Sequence, residues 1–137
     1  MLLNVSSIVT KNEKGINGWM MPFVKTNEGF WDGYDIKYIY ATSIDPGCRK
    51  GPILHLKREC RLCPIVGSCE LVLMTDEGYN KILLDAGNPC VIPIKVGTEF
   101  CLYNQNQSIC VLVNVANHCW TEDDQDSHKV TDWEFEI

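Results

Sequence analysis

Apolar and polar side chains alternate along much of this chain with a period of two, the spacing of a strand that has one face against a core. The clearest case is YDIKYIYATSI, where Tyr34, Ile36, Tyr38 and Tyr40 fall on one face. No segment of about ten or more residues has the 3.6-residue period of a helix. About eight or nine short strands, with turns roughly every 8–12 residues, predict an all-β sandwich or barrel. The period alone does not decide between the two.

The stretch KGPILHLKREC, from Lys50 to Cys60, combines this alternation with an unusual polar face. Read as one strand that runs on to Pro64, it places two sets of side chains on opposite faces: His55, Lys57, Glu59 and Arg61 on one, and Leu54, Leu56, Arg58, Cys60 and Leu62 on the other. A polar face on an enclosed strand needs solvent or a ligand. We therefore expect this strand to carry the functional site.

Charge is segregated along the chain. The net charge of −6 argues against a nucleic-acid partner, because duplex binding needs a basic face. Five of the twelve basic residues nevertheless fall close together, at Arg49, Lys50, Lys57, Arg58 and Arg61. This cluster suits a small anion. Residues 117–137 form an acidic tail with scattered aromatic residues, which we expect to act as a flap or a partner contact.

The length of 137 residues favours a single domain over residues 1–137. No run approaches the roughly 18 apolar residues of a membrane span, and the first residues lack the basic start of an export signal. The expected location is the cytoplasm, with no membrane partner.

The eight cysteines are even in number, but without an export signal a disulfide framework is not expected, and several, such as Cys101 and Cys110, are expected to be small buried hydrophobes. A zinc site built on Cys60, Cys63 and Cys69, completed by His55 or a further cysteine, is an alternative. It is disfavoured because residues 60 and 63 of one strand point to opposite faces. A redox dithiol is disfavoured too, because no strand-to-helix context is present to lower a thiol pKa.

Two ordered stretches decide the architecture. Residues 51–57, Gly51-Pro-Ile-Leu-His55-Leu-Lys57, followed by Cys60 and Gly67, resemble the first motif of the cupin superfamily. The second motif is resembled by Gly87, Pro93, Gly97, Phe100 and Asn104. The resemblance implies a double-stranded β-helix, the jelly-roll barrel of cupins.

The departures from the cupin pattern bear on metal binding. Lys57, Cys60 and Phe100 stand where cupins have three of their four metal ligands, and only His55 remains. An imidazole beside an ammonium group is a poor site for a divalent ion. We expect no metal and no other cofactor.

The whole chain is similar to the small metal-free cupins that resemble dTDP-4-dehydrorhamnose 3,5-epimerase. The similarity is carried by Gly18-Trp19, by residues 25–29, 38–42 and 50–52, by His55, and by the ending NVANHCWTEDDQDSHKVTDWE. It implies a nucleotide-sugar ligand and 3- and/or 5-epimerisation of a 4-keto sugar. It also implies a homodimer, in which the N-terminal strands of residues 1–30 are exchanged.

Epimerisation beside a keto group needs a base, stabilisation of the enolate oxygen and an acid on the other face. We predict His55 as the base, Lys57 as the group on the enolate or diphosphate, and Tyr103 as the acid. In the epimerase pattern, however, the acid tyrosine lies on a later strand, where this chain has Val113 and Asn114. The predicted substrate-binding residues are Lys50, Glu59, Arg61, Tyr38 and Tyr40.

Two other functions stay open. The missing tyrosine favours a cupin that binds a sugar or nucleotide without catalysis. A 3,4-ketoisomerase is the other, although the paired histidines of those cupins correspond here to His55 and Lys57.

Overall fold

The computed structural model describes residues 8–9, 13–15 and 18–137. Within them the chain forms twelve strands and one short 3-10 helix at Gly29–Trp31. The strands are β1 (Ile8–Val9), β2 (Glu13–Gly15), β3 (Gly18–Met20), β4 (Tyr38–Ile44), β5 (Arg49–His55), β6 (Cys60–Val66), β7 (Ser68–Thr75), β8 (Gly78–Asp85), β9 (Cys90–Ile94), β10 (Glu99–Tyr103), β11 (Cys110–Ala116) and β12 (Ser127–Lys129). No helix in the described part of the chain is long and apolar enough to cross a membrane.

Two antiparallel five-stranded sheets face each other. The first sheet has the order β1-β9-β6-β11-β4, and the second has the order β12-β5-β10-β7-β8. Strands β2 and β3 form a separate hairpin. The predicted all-β jelly-roll barrel is confirmed by this arrangement. Residues 1–7, 10–12 and 16–17 of the segment expected to exchange in a dimer lie outside the described residues.

Alternation along the strands builds three apolar clusters. The largest fills the space between the sheets, with Leu62, Leu71, Leu84 and Leu112 fully buried. A second cluster lies on the outer face of the first sheet, where residues 21–36 pack over Cys63, Val91 and Val115. A third lies on the outer face of the second sheet, beneath the aromatic residues of the tail. The tail is therefore packed on the barrel.

The strand expected to run from Lys50 to Pro64 is two strands. β5 ends at His55, and β6 begins at Cys60 in the opposite sheet, so residues 56–59 cross the end of the barrel without strand structure. The prediction that His55, Lys57, Glu59 and Arg61 share one inward face is wrong. Alternation assigns faces only while the chain stays in one sheet.

Candidate active site

The end of the barrel between β5 and β6 brings together side chains from both sheets and from the tail. His55 is the last residue of β5, and Tyr40 lies on the inner face of β4 in the other sheet. The tail returns as β12, which pairs with β5 so that Ser127 lies opposite His55. The crossing residues 56–59 lie between these elements. This is where polar side chains reach the apolar interior.

His55 is buried, with 6 % of its surface exposed. Its Nδ1 lies 3.1 Å from Oγ of Ser127 and 3.6 Å from Oδ2 of Asp126, and its ring packs against Phe100 with centroids 5.5 Å apart. No hydrogen bond to Nε2 is found among the described residues. Burial, followed by the charge of Arg58, lowers the pKa of His55 from 6.5 to about 4, while Asp126 opposes this shift. The imidazole is therefore neutral near pH 7, and the tautomer that carries its proton on Nδ1 has Nε2 as its acceptor atom.

Asp126 is a buried tail residue next to this histidine. It is fully buried, and Oδ1 accepts hydrogen bonds from the backbone N–H groups of Lys57, at 2.6 Å, and Arg58, at 3.2 Å. Oδ2 lies 2.9 Å from Nε of Arg58, although that N–H does not point at it in hydrogen-bond geometry. The backbone N–H of Leu56 donates to the carbonyl oxygen of Asp126 at 2.9 Å. The tail and the crossing residues thus fix each other.

Arg58 connects the two sheets at this end. Its Nη1 donates to the hydroxyl of Tyr40 at 3.0 Å and its Nη2 to Oγ of Ser127 at 3.3 Å. The Tyr40 hydroxyl also lies 3.7 Å from Sγ of Cys60. Burial is the largest cause that raises the pKa of both Tyr40 and Cys60. The phenol and the thiol therefore both keep their protons near pH 7.

The other predicted polar residues of this stretch point elsewhere. The Lys57 ammonium is half exposed and lies 2.8 Å from Oδ1 of Asp124, whose pKa is lowered by its hydrogen bonds to Lys57 and His118. Glu59 lies 2.8 Å from Nε of Arg61. Both thus have partners outside the interior.

Arg61 lies on the outer face of the first sheet. Its guanidinium carbon is 3.8 Å from the ring centroid of Tyr34 and 4.4 Å from that of Phe30. Its Nη1 donates to the Phe30 carbonyl at 2.7 Å. Arg61 is therefore part of the outer aromatic packing and does not face His55.

Of the other predicted site residues, some lie inside the barrel and some outside it. Tyr103 lies on the outer face of β10, where its hydroxyl accepts from Nε1 of Trp133 at 2.7 Å and donates to the Phe135 carbonyl at 3.1 Å. Tyr103, the predicted acid, does not face the interior, because Phe100 and Leu102 occupy the inner face of that strand. Tyr38 and Tyr40 do lie on the inner side, with ring centroids 4.7 Å apart. Lys50 is exposed, and its ammonium group donates to Oγ1 of Thr42 at 2.9 Å, which joins β5 to β4 at the surface.

Sequence reasoning missed Arg58, Asp126 and Ser127. Treating the stretch as one continuous strand places Arg58 on the outer face, and the polar run Lys57-Arg58-Glu59 is the available sign of a break. Asp126 and Ser127 carry no local sign of their role. Their position depends on the pairing of β12 with β5, about 70 residues away.

The cysteines do not converge on one metal site. Cys60 and Cys69 belong to the inner cluster, whereas Cys63 belongs to the outer cluster of the first sheet. The zinc alternative on these three residues is therefore wrong. All eight thiols are free. In the part of the chain that the structure describes, no three His, Cys, Asp or Glu side chains are grouped as metal ligands would be.

Solved structures with this arrangement identify the fold. The dTDP sugar isomerase of Desulfovibrio desulfuricans superimposes with a TM-score of 0.81 at 11 % identity, over 93 % of this chain and 84 % of that chain. The RmlC epimerase of Mycobacterium tuberculosis gives 0.77 at 14 % identity, over 94 % and 71 % of the two chains. This chain has an RmlC-like cupin fold.

A third solved structure superimposes over almost the whole length of both chains. The sugar 3,4-ketoisomerase QdtA of Thermoanaerobacterium thermosaccharolyticum, solved with TDP, gives a TM-score of 0.72 at 22 % identity, over 96 % of this chain and 92 % of that chain. No protein-family model matches this sequence, and no curated protein matches it. At these identities the similarity establishes the cupin fold, and the chemistry has to be argued from the site.

Proposed function

We propose that this protein is a metal-independent epimerase or isomerase that acts on a nucleotide-linked 4-keto sugar, with His55 as the base. The observation that carries the proposal is the His55 imidazole at the end of a cupin barrel, with Nδ1 3.1 Å from Oγ of Ser127 and 3.6 Å from Oδ2 of Asp126, and with no hydrogen bond to Nε2 among the described residues. The adjacent Arg58 guanidinium supports a metal-independent site, because a fixed cation beside the imidazole disfavours a divalent ion. Similarly folded cupins are named as a dTDP sugar isomerase, an epimerase and a 3,4-ketoisomerase.

The chemistry begins with transfer of a proton from the carbon beside the keto group to Nε2 of His55. The electron pair of the broken C–H bond becomes the enolate, and the imidazolium is stabilised by the Asp126 carboxylate. Because the pKa of His55 is low, the base stays unprotonated but holds its proton weakly. Stabilisation of the enolate oxygen therefore matters more than basicity.

For epimerisation, a second group must return a proton on the opposite face. The Tyr40 phenol fits this role, since it keeps its proton and lies in the other sheet, next to the Arg58 charge. A 3,4-ketoisomerase can instead shuttle protons from one side of the sugar. The two reactions give different products, which proton NMR of the sugar ring separates.

The test uses dTDP-4-keto-6-deoxyglucose in deuterated water. We expect the wild type to incorporate deuterium at the carbons beside the keto group, and His55→Asn to be slower by about 100-fold or more. His128→Asn is the matched control, because His128 is exposed and its Nε2 contacts only the Gln125 carbonyl in the described structure. Unchanged exchange in His55→Asn would rule out this mechanism.

A binding module without catalysis is the second candidate. It is favoured by the distance of Tyr103 from the interior and by the weak basicity of His55. Such a protein would be stabilised against heat by dTDP while leaving the carbon-bound protons of the sugar unexchanged. Thermal stabilisation without exchange would therefore select this candidate over the enzyme.

We also propose a homodimer in the cytoplasm. In the described part of the chain β4 is at one end of the first sheet, and its outer side chains Ile39 and Ala41 are exposed, Ile39 to 60 %. An exposed apolar strand edge is a common pairing surface. Light scattering should give twice the chain mass of 15.6 kDa, and Ile39→Lys should lower it. Eight free thiols suit a reducing compartment.

A further inference from the structure

Arg58 has contacts that a surface arginine does not need. It lies in the crossing between β5 and β6 with 7 % of its surface exposed. One guanidinium group donates to Tyr40 of the first sheet and to Ser127 of the tail, and it lies 2.9 Å from the Asp126 carboxylate. Burying an arginine costs free energy unless its charge is paired and its N–H groups are hydrogen-bonded. Here the one carboxylate partner also faces the histidine.

Besides burial, the charges of Arg58 and Asp126 determine how readily His55 is protonated. β10 contributes Phe100, β12 contributes Ser127, and the tail contributes Asp126. Asp126 and Arg58 compensate each other, so a proton on His55 would create a second buried positive charge beside a single carboxylate. Cys60 of β6 stays neutral because burial raises its pKa, and the Lys57 ammonium is engaged by Asp124. The guanidinium therefore opposes protonation of the imidazole.

The same guanidinium orients the hydroxyl group of Tyr40 and would stabilise its phenolate. Because Nη1 of Arg58 donates to the phenol oxygen, the hydroxyl hydrogen of Tyr40 must point to another acceptor. The neighbour in reach is Sγ of Cys60 at 3.7 Å, and sulfur accepts weakly. When the O–H bond breaks and the proton goes to a carbanion, the negative charge on the phenol oxygen lies next to Arg58. A charged donor stabilises that charge better than a neutral one.

We propose that Arg58 is the positioning residue that couples the two proton-transfer groups, opposing protonation of His55 and easing the release of the proton from Tyr40. This inference rests on the proposed function for the role of Tyr40. The effect on His55 can be measured without any substrate. Arg58 acts through the other two residues, and its own N–H groups are directed at Tyr40 and Ser127.

Two substitutions separate charge from geometry. Arg58→Met removes the charge, so the pKa of His55, followed by NMR of the imidazole, should rise by about one to three units. The acid side of the exchange profile should move by the same amount. Arg58→Lys keeps the charge but not the planar fork, so the His55 pKa should stay close to wild type while exchange falls about 10-fold or more. Lys95→Met, at an exposed lysine, is the control and should change neither.

The coupling to Tyr40 has its own test. In a Tyr40→Phe background, Arg58→Lys should reduce exchange much less than it does in the wild type, because the phenol it prepares is gone. Independent effects of the two substitutions would overturn this part of the proposal.

The remaining outcomes are also decisive. A His55 pKa that is equal in wild type and in folded Arg58→Met overturns the coupling to the base. If circular dichroism shows that Arg58→Met does not fold, wild-type exchange in Arg58→Lys overturns the proposal, and reduced exchange supports it. If the wild type itself shows no exchange, the proposed function fails, while a raised His55 pKa in Arg58→Met still supports the coupling.

Discussion

Tyr40 and Tyr103 have different roles because their side chains lie on opposite faces of their sheets, one towards the interior and one away from it. Tyr40 lies on the inner face of β4, where Arg58 holds its hydroxyl. Tyr103 lies on the outer face of β10, where Trp133 and Phe135 engage its hydroxyl. Both side chains are phenols on strands, so composition cannot distinguish them. Their hydrogen-bond partners give them different expected effects.

We expect Tyr40→Phe to reduce solvent deuterium exchange at the sugar by about 100-fold, because the proton donor of the proposed reaction is lost. Tyr103→Phe should keep wild-type exchange and lose about 1 kcal/mol of unfolding free energy, the worth of a hydrogen bond between tail and barrel. Exchange measured by NMR and urea unfolding followed by tryptophan fluorescence give the two values. The opposite pattern, with exchange lost only in Tyr103→Phe, would return the acid role to the outer face.

The alternation of side chains predicts the faces of a strand correctly only as far as the strand's true end. Along β4, β7 and β11 successive side chains alternate between the inner and outer faces, because each strand stays in one sheet along its length. The prediction of faces is wrong after His55, because residues 56–59 leave the second sheet and a new strand begins at Cys60 in the first sheet. Gly67 marks a similar change between β6 and β7, and there the glycine does predict a tight bend.

Gly67 offers a direct test of that bend. Its φ of +70° is unfavourable for other residues, and a methyl group there would overlap the Ile109 carbonyl oxygen. Gly47 has a φ of +74° but open space where a methyl group would lie, so it serves as the matched control. We expect Gly47→Ala to cost about 1–2 kcal/mol of unfolding free energy and Gly67→Ala about 3 kcal/mol or more. Equal losses in urea unfolding would mean that the carbonyl moves aside easily.

The barrel as a whole depends on contacts that connect distant parts of the chain. The two motif-like stretches are enough to predict the jelly roll, because they resemble the two cupin motifs. They are not enough to predict the site, since Asp126 and Ser127 reach His55 only when the tail pairs with β5. The same pairing closes the interior around the imidazole. Burial of this histidine is therefore a property of the assembled barrel, and it links the site to global stability.

That link predicts how stability varies with pH. The pKa of His55 is about 4 in the folded protein and 6.5 when exposed. At a pH between these two values, the imidazole is protonated in the unfolded chain but not in the folded chain. The unfolding free energy should therefore fall as the pH drops from 6.5 towards 4, by on the order of 3 kcal/mol from this group, with no contribution above 6.5. His55→Asn should lack this component. Urea unfolding of both proteins across that range isolates it as a difference, because the other titrating groups are shared. Parallel curves for the two proteins would show that the imidazole protonates as readily in the barrel as in water.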